Sequence, residues 1–142
     1  MLSRRQALLA VGIGLPAGLA WPAAALAAPD RPDLRPRSAW ATGCPVKGPL
    51  LAEDVKFLLV HHTLTPNTDK AAAIPARLRS VYAFHTQHRG WNDVAYNFFV
   101  DAYGTIWEGR QGSIAGPVRG DATGGSQGFA QLACFVGDFT KV

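Results

Sequence analysis

The sequence predicts an α/β chain in which strands and one helix share a core, and three features predict it. Four consecutive apolar residues, Phe57, Leu58, Leu59 and Val60, run into His61-His62-Thr63. Apolar residues recur at helical spacing from Ala71 to His85. Two runs rich in aromatic and β-branched residues, Val94 to Asp101 and Thr105 to Glu108, flank the turn Ala102-Tyr103-Gly104 and read as a hairpin.

The first 27 residues are read as an export signal and set apart from the fold. Arg4-Arg5, the apolar stretch Ala7 to Ala20 and the small-residue run Ala23 to Ala28 give its three parts, and the paired arginines suggest the twin-arginine route. Cleavage is expected after Ala27. An uncleaved membrane anchor is the competing reading, made less attractive by Gly12, Gly14, Pro16, Gly18 and Pro22. The mature protein is expected outside the cytoplasmic membrane, extracellular or in the wall or periplasm, with membrane contact only in transit.

Removing Arg4 and Arg5 leaves 12 basic residues against 10 acidic ones. That balance, with the charges interspersed, argues against nucleic acid as a partner. The mature length suits one domain burying about 65% of its unfolded surface. Cys44 and Cys134 stand far apart in the sequence. Export makes a disulfide between them possible, and two free thiols are equally compatible with a Gly-Cys-Pro turn and an apolar run.

Residues 28–49, rich in proline and arginine, read as an extended lead-in, with Trp40 anchoring it on the domain surface. Leu50 to Asp54 read as a turn into the first strand. That strand is expected to be buried on both faces. Its alternation puts His61 on one face with Phe57, Leu59 and Thr63, and His62 on the other. An imidazole at a strand's mouth suits metal ligation or proton transfer, and equally a hydrogen-bonded histidine with no chemistry. Leu64 to Asp69 form a loop.

Ala71, Ile74, Leu78, Val81, Tyr82 and His85 define the helix face; Asp69 is placed to serve its amino end, Pro75 fits only the first turn, and Gly90 closes it. His85 is read as a satisfied core histidine and His88 as exposed. In the hairpin, Tyr96 shares a face with Phe98 and Val100; its phenol serves a cleft or reaches the surface while its ring packs. The glycine-rich connection Gly109 to Gly128 lacks the Gly-Lys-Ser/Thr ending of a phosphate loop, which excludes nucleotide binding of that kind. Phe129 to Val136 is the last strand, leading to Gly137-Asp138-Phe139.

Six segments occur in order: R-S-A-W at Arg37–Trp40, V-H-H-T at Val60–Thr63, F-H at Phe84–His85, W-N-D-V-A-Y-N-F at Trp91–Phe98, I-W-E-G-R at Ile106–Arg110 and F-V-G-D-F at Phe135–Phe139. Together they resemble the peptidoglycan recognition protein and type 2 N-acetylmuramoyl-L-alanine amidase family. The resemblance implies a central mixed β-sheet flanked by helices over residues 50–142, with a cleft for the peptidoglycan stem peptide and N-acetylmuramic acid. It also implies zinc-dependent hydrolysis of the amide between the lactyl group and L-alanine, as in the family's catalytic members.

By the same resemblance His61 matches the first zinc ligand and Tyr96 the tyrosine that polarises the scissile carbonyl. Thr63, Trp91 and Arg110 would contact substrate. The family's other two ligands follow G-D-F, whereas this sequence has no histidine after His88 and three residues after Phe139. Cys134 precedes G-D-F and is no substitute. The resemblance therefore implies a domain truncated at its carboxyl end, with one matching ligand, weak zinc binding and little hydrolysis. Gly120-Asp121-Ala122 and Gln127 depart from the family's usual Gly-Ala-His and asparagine. A fragment of a longer amidase, a non-catalytic wall-binding module and an exported remnant without ligand stay open, and an uncovered sheet face is expected to bind hydrophobic dyes or self-associate.

Overall fold

The computed structural model describes Pro32, residues 34–121 and residues 129–140; residues 1–27, read above as an export signal, and Ala122 and Gln127 lie outside the described residues. Five strands form one sheet in the order β1-β4-β3-β5-β2. They are β1 (Leu34–Arg35), β2 (Phe57–His62), β3 (Phe98–Val100), β4 (Ile106–Glu108) and β5 (Ala130–Phe135). The hairpin β3–β4 is antiparallel, while β1–β4, β3–β5 and β2–β5 are parallel, so the sheet is mixed.

Parallel pairing requires crossovers, and helix α1 (Ile74–Ala83) sits in the connection between β2 and β3. A 3₁₀ turn, Ala71–Ala73, leads into it, Pro75 occupies its first turn, and a π-turn, Phe84–His88, follows. Gly90 closes the segment with φ +71°, a conformation that favours glycine. Asp69 does not cap the helix as expected. Its carboxylate takes the guanidinium of Arg77 through two hydrogen bonds, of 2.6 and 3.1 Å.

Ile74, Leu78, Val81 and Tyr82 bury the inner face of α1 with Phe99, Cys134, Val94 and Trp40. Trp40 thus belongs to the core and not to the surface. It is 1% exposed, stands edge-on to Phe99 at 6.4 Å between ring centroids, and donates its indole N–H to the Glu108 carbonyl at 2.7 Å. The lead-in is likewise built into the domain, because Leu34 and Arg35 pair with Ile106 and Trp107. The lead-in is not extended throughout: after the edge pairing it tightens into a 3₁₀ turn, Arg37–Ala39, in which the Ala39 amide donates to the Pro36 carbonyl at 2.9 Å.

The strand expected to be buried on both faces is an edge strand. Leu58 and Val60 are 65% and 60% exposed, and Phe57 is exposed too. Alternation explains the outcome: Leu58, Val60 and Phe135 lie on the face opposite α1, and all three are exposed. On the α1 face Leu59 and His61 pair with Leu132 and Cys134, both fully buried. Cys44 and Cys134 are both free and buried.

Candidate functional site

A groove of about 490 Å³ opens beyond the carboxyl end of β2, with walls from the following loop, from α1 and its π-turn, and from the Trp91–Tyr96 segment. Open α/β sheets place ligands at the carboxyl ends of their strands, where successive connections diverge. Thr63 and Thr65 stand on one side, their hydroxyls 2.6 Å apart, and Thr63 Oγ1 accepts the Gly137 amide at 2.9 Å. Leu64 forms the rim between them, exposed and at φ +56°, an uncommon conformation for a branched aliphatic residue.

The opposite wall is aromatic. Trp91 packs on His85 at 4.9 Å between centroids, Tyr96 lies 5.4 Å from His85, and Phe84 5.9 Å from it. Arg89 projects beside this wall, its guanidinium 5.4 Å from the Phe84 ring. Thr63, Trp91 and Tyr96, all singled out in the sequence, therefore meet in one groove. Leu64, Phe84 and Arg89 had carried no functional reading. The signal available for them was Arg89-Gly90-Trp91, where one glycine turn sets a cation and a large aromatic side by side.

His85 is the core histidine expected, yet it also lines the groove. Its Nδ1 accepts the Ala95 backbone amide at 3.1 Å. Burial chiefly, with the positive charges of Arg89 and Arg110, pushes its pKa down to about 4, against a small opposing pull from Asp121. His88 is exposed, as expected.

His61 is half-buried, its ring 5.8 Å from that of Tyr96. Burial pushes the Tyr96 phenol well above the ordinary tyrosine range, and the adjacent Cys134 reinforces this. The phenol is therefore a protonated donor. Burial also drives the Cys134 thiol up to about 12, with Tyr96 acting slightly against it, and a thiol held protonated is a poor metal ligand or nucleophile. His62, to which the resemblance assigns no role, contributes to the groove as well; its Nδ1 accepts the Phe139 amide at 3.0 Å.

Arg110 lies apart from this groove. It is 4% exposed, pairs with Asp121 at 2.7 Å and donates to the Val94 carbonyl at 3.0 Å, and it lines a smaller pocket with Asn92 and Arg119. Among the described residues no three His, Cys, Asp or Glu side chains converge as a metal centre requires. Since a catalytic zinc takes three protein ligands, His61 does not make such a site with the described residues.

The described residues thus form a mixed-sheet α/β domain with an aromatic-walled groove at the strand ends. No family model matches the chain. It is 37% identical over 102 residues to peptidoglycan-recognition protein LE of Drosophila melanogaster, covering 71% of this chain and 30% of that protein. To the N-acetylmuramoyl-L-alanine amidase of Sus scrofa it is 33% identical over 114 residues, 77% of this chain and 18% of the amidase. The solved structure of peptidoglycan recognition protein-LE in complex with tracheal cytotoxin, a monomeric diaminopimelic acid-type peptidoglycan, superposes with a TM-score of 0.64 at 36% identity. That superposition covers 76% of this chain and 62% of the solved one. The chain belongs to the peptidoglycan recognition protein and N-acetylmuramoyl-L-alanine amidase family, and it spans less than two thirds of each of these relatives.

Proposed function

We propose that this chain is a peptidoglycan-binding module whose groove takes the stem peptide together with its N-acetylmuramic acid. The observation that carries the reading is the groove's composition. Trp91, Tyr96 and His85 offer ring faces to a sugar or peptide backbone, Thr63 and Thr65 offer hydroxyls, and Arg89 offers a cation to a stem-peptide carboxylate. A volume of about 490 Å³ accommodates a few residues of such a ligand. Relatives solved with tracheal cytotoxin and with a muramyl pentapeptide support the same ligand class.

A second reading, amidase activity on the N-acetylmuramoyl-L-alanine bond, is favoured by the proximity of His61 and Tyr96. The protonated Tyr96 phenol can donate to a carbonyl oxygen in the groove. No hydrolytic step follows from the described residues, because they do not complete a zinc site. We also propose export, on the strength of the paired arginines and apolar run in residues 1–27, which would bring the groove to the wall.

Mixing the purified mature chain with insoluble peptidoglycan separates these readings. Co-sedimentation without release of stem peptide, with or without added zinc, is the expected result. Release of stem peptide with new L-alanine amino termini would support the enzyme instead, and a chain that stays in the supernatant would refute both.

A further inference from the structure

Half of the backbone hydrogen-bonding groups of β2 point away from the sheet. The amides of Phe57 and Thr63 donate to the Phe129 and Phe135 carbonyls, on the β5 side. Alternate residues of a strand direct N–H and C=O to opposite edges, so Leu58, Val60 and His62 direct theirs outward. Among the described residues no strand lies on that side. Edge strands that stay unpaired in solution carry a charge, a proline or a bulge, and Phe57–His62 has no acid, lysine, arginine or proline and keeps an unbroken register with β5. Its Leu58 and Val60 side chains are exposed.

We propose that this edge is an interface between two copies of the chain, in which β2 pairs antiparallel with β2 of a partner subunit about a two-fold axis at Leu59. Leu58 then lies opposite Val60 of the partner subunit. Three features favour a second copy as the occupant. An axis perpendicular to the sheet keeps every side chain on its own face, so the outward groups of Leu58 meet those of Val60 of the partner subunit and exchange both hydrogen bonds. The exposed Leu58 and Val60 side chains cover one another across the pair and extend the apolar face begun by Phe135. The ends of the strand are also complementary. Lys56, exposed beside Asp54, comes opposite His62 of the partner subunit, and in each chain Asp138 lies 3.9 Å from His62. A parallel pairing would set the two Lys56 side chains together instead.

A strand pair of this length is smaller than a permanent interface, so the dimer is expected to form reversibly with a Kd on the order of 10–100 μM. Since the strands run in opposite directions, the grooves beyond their carboxyl ends sit at opposite ends of the pair. One dimer would then grip a polymeric wall at two points, a consequence that rests on the proposed function, whereas the dimer does not.

Sedimentation equilibrium of the purified chain from about 10 μM to 1 mM tests the pairing without ligand. A monomer–dimer equilibrium is expected, weakened at least about tenfold in Val60→Lys, which puts a charge on the edge at an exposed position. A monomer throughout, or a folded Val60→Lys that dimerises as strongly as the parent, would overturn the proposal. So would a monomer whose Leu58 and Val60 amides exchange slowly, because another part of the chain would then cover the edge. Mild oxidation reads the register. Leu58→Cys mixed with Val60→Cys is expected to give a disulfide-linked dimer, while either variant alone is not, since like positions are too far apart to bridge; Cys44 and Cys134 are buried. Cross-linking no faster in the mixture than in the single variants would overturn the pairing. Val60→Lys is further expected to bind insoluble peptidoglycan several-fold more weakly than the parent, with unchanged affinity for a monomeric muramyl peptide. Equal wall affinity would contradict the two-point grip. No wall binding by either chain would refute the proposed function, and sedimentation and cross-linking would still decide the dimer.

Discussion

Replacing Asp93 by alanine is expected to destabilise the domain by about 3–5 kcal/mol, enough to unfold much of a chain whose total stability is on the order of 5–15 kcal/mol. Asp93 is fully buried. Its Oδ1 accepts the Arg37 guanidinium and the Val94 amide, each at 2.7 Å, and its Oδ2 accepts the Gln111 amide at 2.9 Å. Arg37 is itself buried, donating onward to the carbonyls of Gly109 and Cys44. One carboxylate thus ties the lead-in to the start of the Trp91–Tyr96 wall and to the turn after β4. Removing it leaves a guanidinium without its countercharge, and two amides without acceptors, in a dry site. Asp54 is the matched control. Its partner Lys56 is 3.0 Å away and both side chains are exposed, so Asp54→Ala is expected to change stability by less than about 0.5 kcal/mol. Denaturant melts at pH 7 compare the two, and equal losses would contradict the anchoring role given to Asp93.

Stability is also expected to fall as the solution is acidified from pH 7 to pH 4. His85 in the unfolded chain has the ordinary histidine value of 6.5, while in the fold burial and two arginines lower it to about 4. The unfolded chain therefore binds a proton that the folded chain refuses, and stability falls with pH through that window. The contribution is whole above pH 6.5. By linkage the loss reaches about 2 kcal/mol at pH 5 and about 3 kcal/mol at pH 4. His85→Phe should flatten the profile between pH 6.5 and 4. Denaturant midpoints measured across this range give the answer, and a variant with the same slope as the unaltered chain would show that another group carries the effect.

The elements were legible in the sequence because each has its own period. The apolar run and the helical spacing fall where pattern and turn chemistry put them, down to Pro75 in the first turn of α1, whereas the hairpin's first strand is shorter than its composition predicts: β3 begins at Phe98, so Tyr96 precedes it and stands edge-on to Phe99 at 5.6 Å instead of sharing a face with Phe98 and Val100. What misled was burial. Four apolar residues in a row describe a strand buried on both faces as well as they describe β2, and only the strand order shows that β2 lies at an edge. Trp40 failed for a related reason: a tryptophan in a proline-rich segment gives no local sign of the Glu108 carbonyl that receives its indole N–H.

The site divides along the same line. Tyr96, Trp91 and Thr63 were found through their motifs, and the groove collects all three. The helical position of His85 is apolar and reads as core, and the side chain is indeed buried; that it also lines the groove depends on the Trp91–Tyr96 segment folding back onto it, with the Ala95 amide ten residues away on its Nδ1, which no spacing rule reveals. Arg110 shows the converse. Its motif pointed to substrate, whereas its side chain is engaged by Asp121 and the Val94 carbonyl beside a different pocket.

Calorimetric titration of a monomeric muramyl peptide into the purified chain tests the groove's assignment most directly. Saturable binding at one site per chain, with a Kd on the order of micromolar and at least about tenfold weaker in Trp91→Ala, is the predicted result. A chain that gives no binding heat, or a Trp91→Ala variant that folds and binds as tightly as the parent, would contradict it.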